Sequence, residues 1–146
     1  MLTVEETTVI DRPRQEVYDV AVTTETRPTW ISNVLEIDAE RPGHPEEGDR
    51  HAVTSKVAGK RFTSTEQVTE VLPGERFAYR SEEGPFPYQV QFRFADEGDA
   101  TRMTIHVESP GFGGLFGRLS DPLVVTMFSR DVRANLANLK TLVEHT

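Results

Sequence analysis

The feature that most constrains the fold is a long amphipathic segment near the C-terminus. Between residues 122 and 144, apolar side chains recur at steps of three and four, as one narrow stripe of a helical wheel: Val125, Phe128, Val132, Leu136, Leu139 and Val143. Pro122 suits the first turn of a helix, where its missing N–H loses no hydrogen bond. A helix over Pro122 to Glu144 would be about 34 Å long. The rest of the chain must therefore supply an apolar surface of similar length.

The first half of this predicted helix is apolar on a second side as well. Leu123 and Met127 lie opposite the stripe, and they follow Leu115, Phe116 and Leu119. We predict ordinary core packing for residues 132–143. Functional contacts of the helix are expected between Leu115 and Val132.

The N-terminal third contains one strand pattern and two short helix patterns. Leu2 to Ile10 alternates loosely and predicts a first strand, and Pro13 to Val22 carries apolar residues at helical spacing. A second short helix, carrying the one tryptophan, Trp30, is predicted around Pro28 to Ser32.

Residues 34–109 have the punctuation of an antiparallel meander, with turn signals at 42–43, 59–60, 73–74, 83–85 and 97–99. Residues paired across a hairpin share a face of the sheet. A turn at Gly59-Lys60 would pair Val57 with Phe62 and Val53 with Glu66. Continuing this count through the later turns keeps the apolar residues on one face: Val53, Val57, Phe62, Val68, Phe77, Tyr79, Tyr88, Val90, Phe92, Phe94, Met103, Ile105 and Val107. The long helix is the predicted cover of that face, which makes the chain an α+β protein.

Composition excludes several classes of function. The chain has 146 residues, which predicts a single domain over 1–146, and it has no cysteine, which excludes disulfides and thiolate chemistry. A net charge of −8 argues against nucleic acid as a partner. No apolar run is long enough for membrane insertion, and Met1 leads directly into strand-like sequence, so a cytoplasmic protein is expected. The four histidines are scattered, and neither a metal site nor a cofactor is predicted.

The order strand, two short helices, meander and long helix resembles the START-like (SRPBCC) superfamily, in its polyketide cyclase/dehydrase and lipid-transport branch. The likeness rests on residues 9–18, on Trp30, on residues 68–79 and on the helix over 133–144. It implies a helix-grip fold, in which a curved antiparallel sheet wraps around the long C-terminal helix and leaves a cavity for a hydrophobic ligand. Fold alone does not choose among the functions of such proteins.

Glu66 is the candidate catalytic residue. The alternation of side chains along the strands places Glu66 on the apolar face, where a carboxyl group would have a raised pKa suited to proton transfer. The alternative is that Glu66 lies near a sheet edge, where curvature returns it to water. Unpaired buried acids are rare, which favours the second interpretation.

The candidate ligand-binding residues are mostly apolar. Trp30 is expected either at the cavity entrance or in the packing of the short helices. The glycine-rich run 111–117 lacks the ending of a phosphate-binding loop, and its apolar residues are instead predicted to form a gate at the cavity mouth. The full set is Trp30, Ser64, Phe77, Tyr79, Tyr88, Val90, Phe92, Phe94, Met103, Ile105, Phe112, Phe116, Leu119, Met127, Phe128 and Val132.

The leading functional hypothesis is therefore binding of a small hydrophobic or aromatic ligand, oriented by Tyr79, Tyr88 and Glu66. The first alternative is an enzyme of the polyketide cyclase, aromatase or dehydratase type, with Glu66 as its acid/base group. The second is a domain that binds a protein partner, a homodimer included, through an exposed apolar surface.

Overall fold

The computed structural model describes residues 2–57, 59–83, 87–109 and 122–146. Within them the helices are α1 (Arg14–Val22), α2 (Arg27–Trp30) and α3 (Pro122–Glu144). The strands are β1 (Leu2–Ile10), β2 (Val34–Ala39), β3 (Arg50–Val57), β4 (Lys60–Leu72), β5 (Arg76–Glu83), β6 (Gln89–Glu97) and β7 (Ala100–Ser109). The predicted bounds of β1 and α3 are confirmed, whereas α2 begins and ends earlier in the chain than expected.

The described strands form one antiparallel sheet in the order β1-β7-β6-β5-β4-β3-β2. Strands β2 to β7 follow one another as a meander, and β1 joins the far side of β7, with Leu2 opposite Ser109. The α+β helix-grip fold predicted from the sequence is confirmed, since α3 packs along the apolar side of the sheet against β1 and its neighbours.

Most of the predicted strand pairings are correct. Tyr79 lies opposite both Val68 and Val90, and Phe92 lies opposite Phe77. The pairing of β3 with β4 was predicted two residues out of register, because Val57 pairs with Lys60 rather than Phe62. Gly59 takes φ +80°, the left-handed region that a tight hairpin needs. The shift is an even number of residues, so each side chain keeps its predicted face.

The core lies between the sheet and all the described helices. From α1 it takes Val17, Tyr18, Ala21 and Val22, from α2 it takes Trp30, and from α3 it takes Leu136, Leu139 and Val143. The prediction that α3 alone covers the apolar face is therefore incomplete. The short helices cover part of the sheet because α1 carries apolar residues at helical spacing and packs on β6 and β7.

Helix α3 has two different halves. Its C-terminal half is anchored in the core by the residues named above, with Leu139 fully buried. In its N-terminal half, Leu123 is 80% exposed and Met127 46% exposed. Among the described residues, no helix is both long enough and apolar enough to cross a membrane.

Candidate functional site

A cavity of about 200 Å³ lies between the sheet and the N-terminal half of α3. Its wall is largely apolar, with contributions from every described strand, from α2 and from α3. The lining residues are Leu2, Arg27, Trp30, Ile31, Ser32, Asn33, Val34, Val53, Ser55, Val57, Phe62, Ser64, Glu66, Tyr79, Tyr88, Val90, Phe92, Ile105, Val107, Ser109, Phe128, Asp131, Val132 and Asn135. An apolar wall with a few polar groups is the usual composition of a small-molecule site.

A buried ion pair forms one side of this cavity. Arg27 and Glu66 are 1% and 2% exposed, and their closest approach joins Arg27 Nη1 to Glu66 Oε1 at 3.2 Å. Burial alone would lower the pKa of Arg27, but the Glu66 carboxylate reverses this and holds that pKa above its usual value. Two buried opposite charges in contact stabilise each other against the loss of water.

Two tyrosines extend this pair towards the cavity. The Tyr88 hydroxyl donates to Glu66 Oε2 at 2.6 Å and lies 3.4 Å from Ser64 Oγ. The Arg27 guanidinium lies 4.2 Å from the centre of the Tyr79 ring, a cation–π contact. Burial raises the pKa of Tyr79 to about 12, and burial together with Glu66 raises the pKa of Tyr88. Both phenols therefore stay protonated at neutral pH.

Glu66 matches neither interpretation of the sequence. It does not return to water, because β4 lies inside the sheet between β3 and β5. It is not an unpaired acid either, since both of its oxygens are held by Arg27 and one also by Tyr88. This carboxylate is a buried, paired group at the cavity wall.

Trp30 and the aromatic residues of the sheet form an apolar part of the wall next to the ion pair. Trp30 is fully buried, with its ring centre 5.5 Å from that of Phe92. Phe92 in turn lies 5.7 Å from Tyr79 in an edge-on arrangement. Trp30 thus packs α2 onto the sheet, the second of the two roles predicted for it, and lines the cavity at the same time.

Helix α3 supplies the remaining polar groups. Asn135 is 8% exposed, and its Oδ1 accepts hydrogen bonds from Ser32 N at 3.1 Å and Ser32 Oγ at 3.2 Å. Asp131 lies one turn earlier, is exposed, and lines the cavity where it opens, with no hydrogen bond or ion pair to the described residues. Partial burial raises the pKa of Asp131.

His51 is a buried neighbour of the ion pair. It faces Glu66 across β3 and β4, it is 2% exposed, and neither ring nitrogen has a hydrogen-bond partner among the described residues. Burial lowers the pKa of His51, and the positive charge of Arg27 lowers it further. The imidazole is therefore neutral at neutral pH.

The structure brings ten of the predicted site residues to the cavity wall: Trp30, Ser64, Glu66, Tyr79, Tyr88, Val90, Phe92, Ile105, Phe128 and Val132. Four others lie away from it. Phe77, Phe94 and Met103 are buried in the core, and Met127 is exposed on the outer side of α3. The first three share the apolar face of the sheet with the lining residues but lie outside the cavity, whereas Met127 lies on the wrong side of the helix.

Phe112, Phe116 and Leu119, with the predicted gate over 110–117, lie outside the described residues.

Sequence reasoning missed Arg27, Asp131 and Asn135. Arg27 directly precedes Pro28 at the start of the short helix that carries Trp30. This position near the one tryptophan was the sequence feature that could have indicated Arg27 as a site residue. Asn135 and Asp131 flank the apolar stripe of α3, where polar residues are ordinarily solvated.

A larger depression of about 460 Å³ lies on the opposite, polar face of the sheet. Its charged groups already have partners, since Arg93 and His106 contact Glu5, His106 also contacts Glu108 at 3.0 Å, and Arg80 donates to Gln67 Oε1 at 3.3 Å. We therefore place the candidate site in the smaller apolar cavity. No group of three or more metal-ligating side chains comes together in the described ranges.

Comparison with known families agrees with this geometry. Residues 1–144 match the family described as polyketide cyclase/dehydrase and lipid transport. The chain belongs to this family. The resemblance to START-like (SRPBCC) proteins inferred from the sequence is thereby confirmed over nearly the whole chain.

Solved structures with the same fold span nearly the whole chain. A protein from Thermus thermophilus is 24% identical with a TM-score of 0.80, over 97% of this chain and 96% of its own. A START superfamily protein from Mycobacterium smegmatis is 14% identical with a TM-score of 0.77, over 99% of both chains. The major latex-like protein 151 of Panax ginseng is 11% identical with a TM-score of 0.72, over 95% of both chains. At these identities the likeness shows the fold alone. No curated protein sequence matches the chain significantly.

Proposed function

We propose that this protein binds a small hydrophobic or aromatic molecule in the cavity between its sheet and α3. The observation that carries the proposal is the cavity itself, a space of about 200 Å³ lined mainly by apolar and aromatic side chains. Binding of an apolar molecule of matching size in such a cavity is favourable, because it removes apolar surface from water.

The arrangement of the polar groups supports the same function. Arg27, Glu66 and Tyr88 are hydrogen-bonded to one another, so they add little charge to the cavity and stiffen its wall, although Arg27 Nε has no partner among the described residues. A rigid, preformed site loses little entropy when a ligand binds.

Titration with N-phenyl-1-naphthylamine, an uncharged apolar fluorophore, tests the proposal. We expect saturable binding at one site, accompanied by a blue-shifted emission. Ser64→Phe places a ring in the cavity and should weaken binding at least about tenfold, since a small change in pocket shape changes affinity by about 1–3 kcal/mol.

The matched control is Thr63→Phe, which adds the same ring at the next position of β4, on the exposed face. It should leave the affinity unchanged. Absence of saturable binding to the native protein, or equal affinities of the two variants, would reject a ligand site in this cavity.

An enzyme of the cyclase or dehydratase type is the second candidate. The observation in its favour is the 2.6 Å hydrogen bond from Tyr88 to Glu66, which connects a lining phenol to a carboxylate. Such a connection can assist proton transfer to a bound polyketide, a contribution of about 10²–10⁴-fold in rate.

Turnover of polyketide substrates by Tyr88→Phe decides between the two candidates. An enzyme would lose about a hundredfold or more in kcat while the fluorophore still bound. A protein that only binds ligands would show no turnover in either form.

A further inference from the structure

We propose that the cavity selects an apolar molecule that carries a hydroxyl group, and that Asp131 and Asn135 of α3 hold this hydroxyl. The inference rests on the proposed binding function and adds the chemical class of the ligand.

Asp131 supplies the acceptor. It lines the cavity between Phe128 and Val132, and no described residue donates a hydrogen bond to its carboxylate or pairs with it. The other charges in the lining, Arg27 and Glu66, neutralise each other. Asp131 is therefore the unbalanced charge of the described wall, and an anionic ligand would be repelled by it.

Asn135 supplies the donor. Its Oδ1 must be the atom next to Ser32, because the Ser32 backbone N–H can only donate. Nδ2 is then the free end of an amide that is more than nine-tenths buried, and it has no hydrogen-bond partner among the described residues. Nδ2 is not one of the fully buried atoms, so a ligand oxygen can reach it and accept the hydrogen bond that no described residue accepts.

The two groups are four residues apart on one helix, which puts their Cβ atoms about 6 Å from each other. A hydroxyl satisfies both, because its O–H donates to Asp131 while its oxygen accepts from Asn135 Nδ2. A carboxylate can accept but meets the negative charge, and an ammonium group can donate but leaves Asn135 without an acceptor.

Four probes with one carbon skeleton test this selectivity: naphthalene, 2-naphthol, 2-naphthoate and 2-naphthylmethylamine. The affinity of each probe is measured by how well it displaces N-phenyl-1-naphthylamine from the protein at neutral pH. We expect 2-naphthol to bind about tenfold more tightly than naphthalene, since a hydrogen bond to a charged group contributes at least about 1.4 kcal/mol, a factor of ten. The naphthoate should bind most weakly.

Variants then assign the effect to the two residues. Asp131→Asn should reduce the preference for naphthol over naphthalene to about threefold or less and relieve the exclusion of naphthoate. Asp38→Asn removes the same charge from an exposed position on β2, outside the cavity, and should change neither. Asn135→Leu should reduce naphthol binding without improving naphthoate binding.

The outcomes separate this inference from the proposed function. If naphthalene binds but naphthol gains nothing, or if Asp131→Asn behaves like Asp38→Asn, the hydroxyl site is rejected and the apolar site stands. Tightest binding of the amine would reject it in favour of a cation site. If none of the probes displaces the fluorophore, both fail.

Discussion

At the scale of single residues, the most consequential feature is the buried pair of Arg27 and Glu66. Each charge has lost its water and depends on the other, with Tyr88 as the further partner of Glu66. Such a pair contributes little net stability compared with apolar residues, yet removing one partner leaves an uncompensated buried charge.

We therefore predict that Arg27→Met and Glu66→Gln each lower the free energy of unfolding by about 3–5 kcal/mol. The double variant Arg27→Met with Glu66→Gln should lose less than the two single variants together, because no buried charge remains. Urea unfolding followed by circular dichroism measures all three.

The control is the exposed pair of Arg102 and Glu97, which has a nitrogen–oxygen distance of 2.8 Å. Arg102→Met should cost only about 0–1 kcal/mol, as expected for a solvent-exposed ion pair. Losses that simply add in the double variant at Arg27 and Glu66 would show that the two residues do not act as a pair.

His51 predicts a pH dependence of stability. Its pKa in the folded protein lies below the unfolded value of about 6.5. The unfolded chain therefore binds more protons, and the contribution of His51 is fully present above about pH 6.5 and is lost as the pH falls below it. The slope approaches at most about 1.4 kcal/mol per pH unit, the limit for one proton.

Unfolding free energies measured between about pH 7.5 and about pH 5.5 check this prediction. His51→Phe keeps a buried ring but cannot be protonated. The unfolding free energy that this variant loses on acidification should therefore be smaller by the contribution of His51. The other three histidines remain in both proteins, so they cancel in the comparison. Identical pH profiles would exclude His51 as the source.

The sequence predicted many residues of the cavity wall but not the partner of Glu66. The face of a strand residue follows from alternation, so Tyr79, Val90 and Phe92 could be placed from the pattern alone. Arg27 is 39 positions before Glu66. Its burial depends on how α2 docks over the sheet, which no local periodicity encodes.

At the scale of elements, the meander shows how far side-chain alternation determines the register of neighbouring strands. One-sided burial fixes the register of a strand only to within an even number of residues. The exact register of β3 against β4 was therefore left to the turn, where Val57 pairs with Lys60. The pairings of β5 with β6 and of β6 with β7 were predicted correctly. Between β4 and β5, Val68 pairs with Tyr79 as predicted, but a bulge after Val68 shifts the pairs nearer the turn, where Leu72 lies opposite Arg76.

Truncating side chains in the two halves of helix α3 should lower the free energy of unfolding by different amounts. Leu139→Ala removes a fully buried side chain and should cost about 2–5 kcal/mol of unfolding free energy. Met127→Ala, which truncates a side chain that is 46% exposed, should cost less than half as much. Equal losses would show that both halves contribute alike to the core.

At the scale of the whole molecule, a ligand that binds only the folded state must stabilise it by mass action. A probe present at about 100 times its Kd should raise the free energy of unfolding by about 2.7 kcal/mol. Thermal unfolding with and without 2-naphthol measures this gain, and Ser64→Phe at the same probe concentration should reduce it to about half or less. An unchanged Tm at saturation would contradict binding to the native state.

The position of β1 has a consequence for how the molecule forms. It pairs with β7, with Leu2 opposite Ser109, and it also packs against α3. The chain between β1 and β7 must close into a long loop before these contacts form. This closure costs conformational entropy, and contacts between residues far apart in the sequence slow folding. During synthesis the first strand therefore leaves the ribosome without its neighbour in the sheet. The cavity can close only when nearly all of the chain has been made.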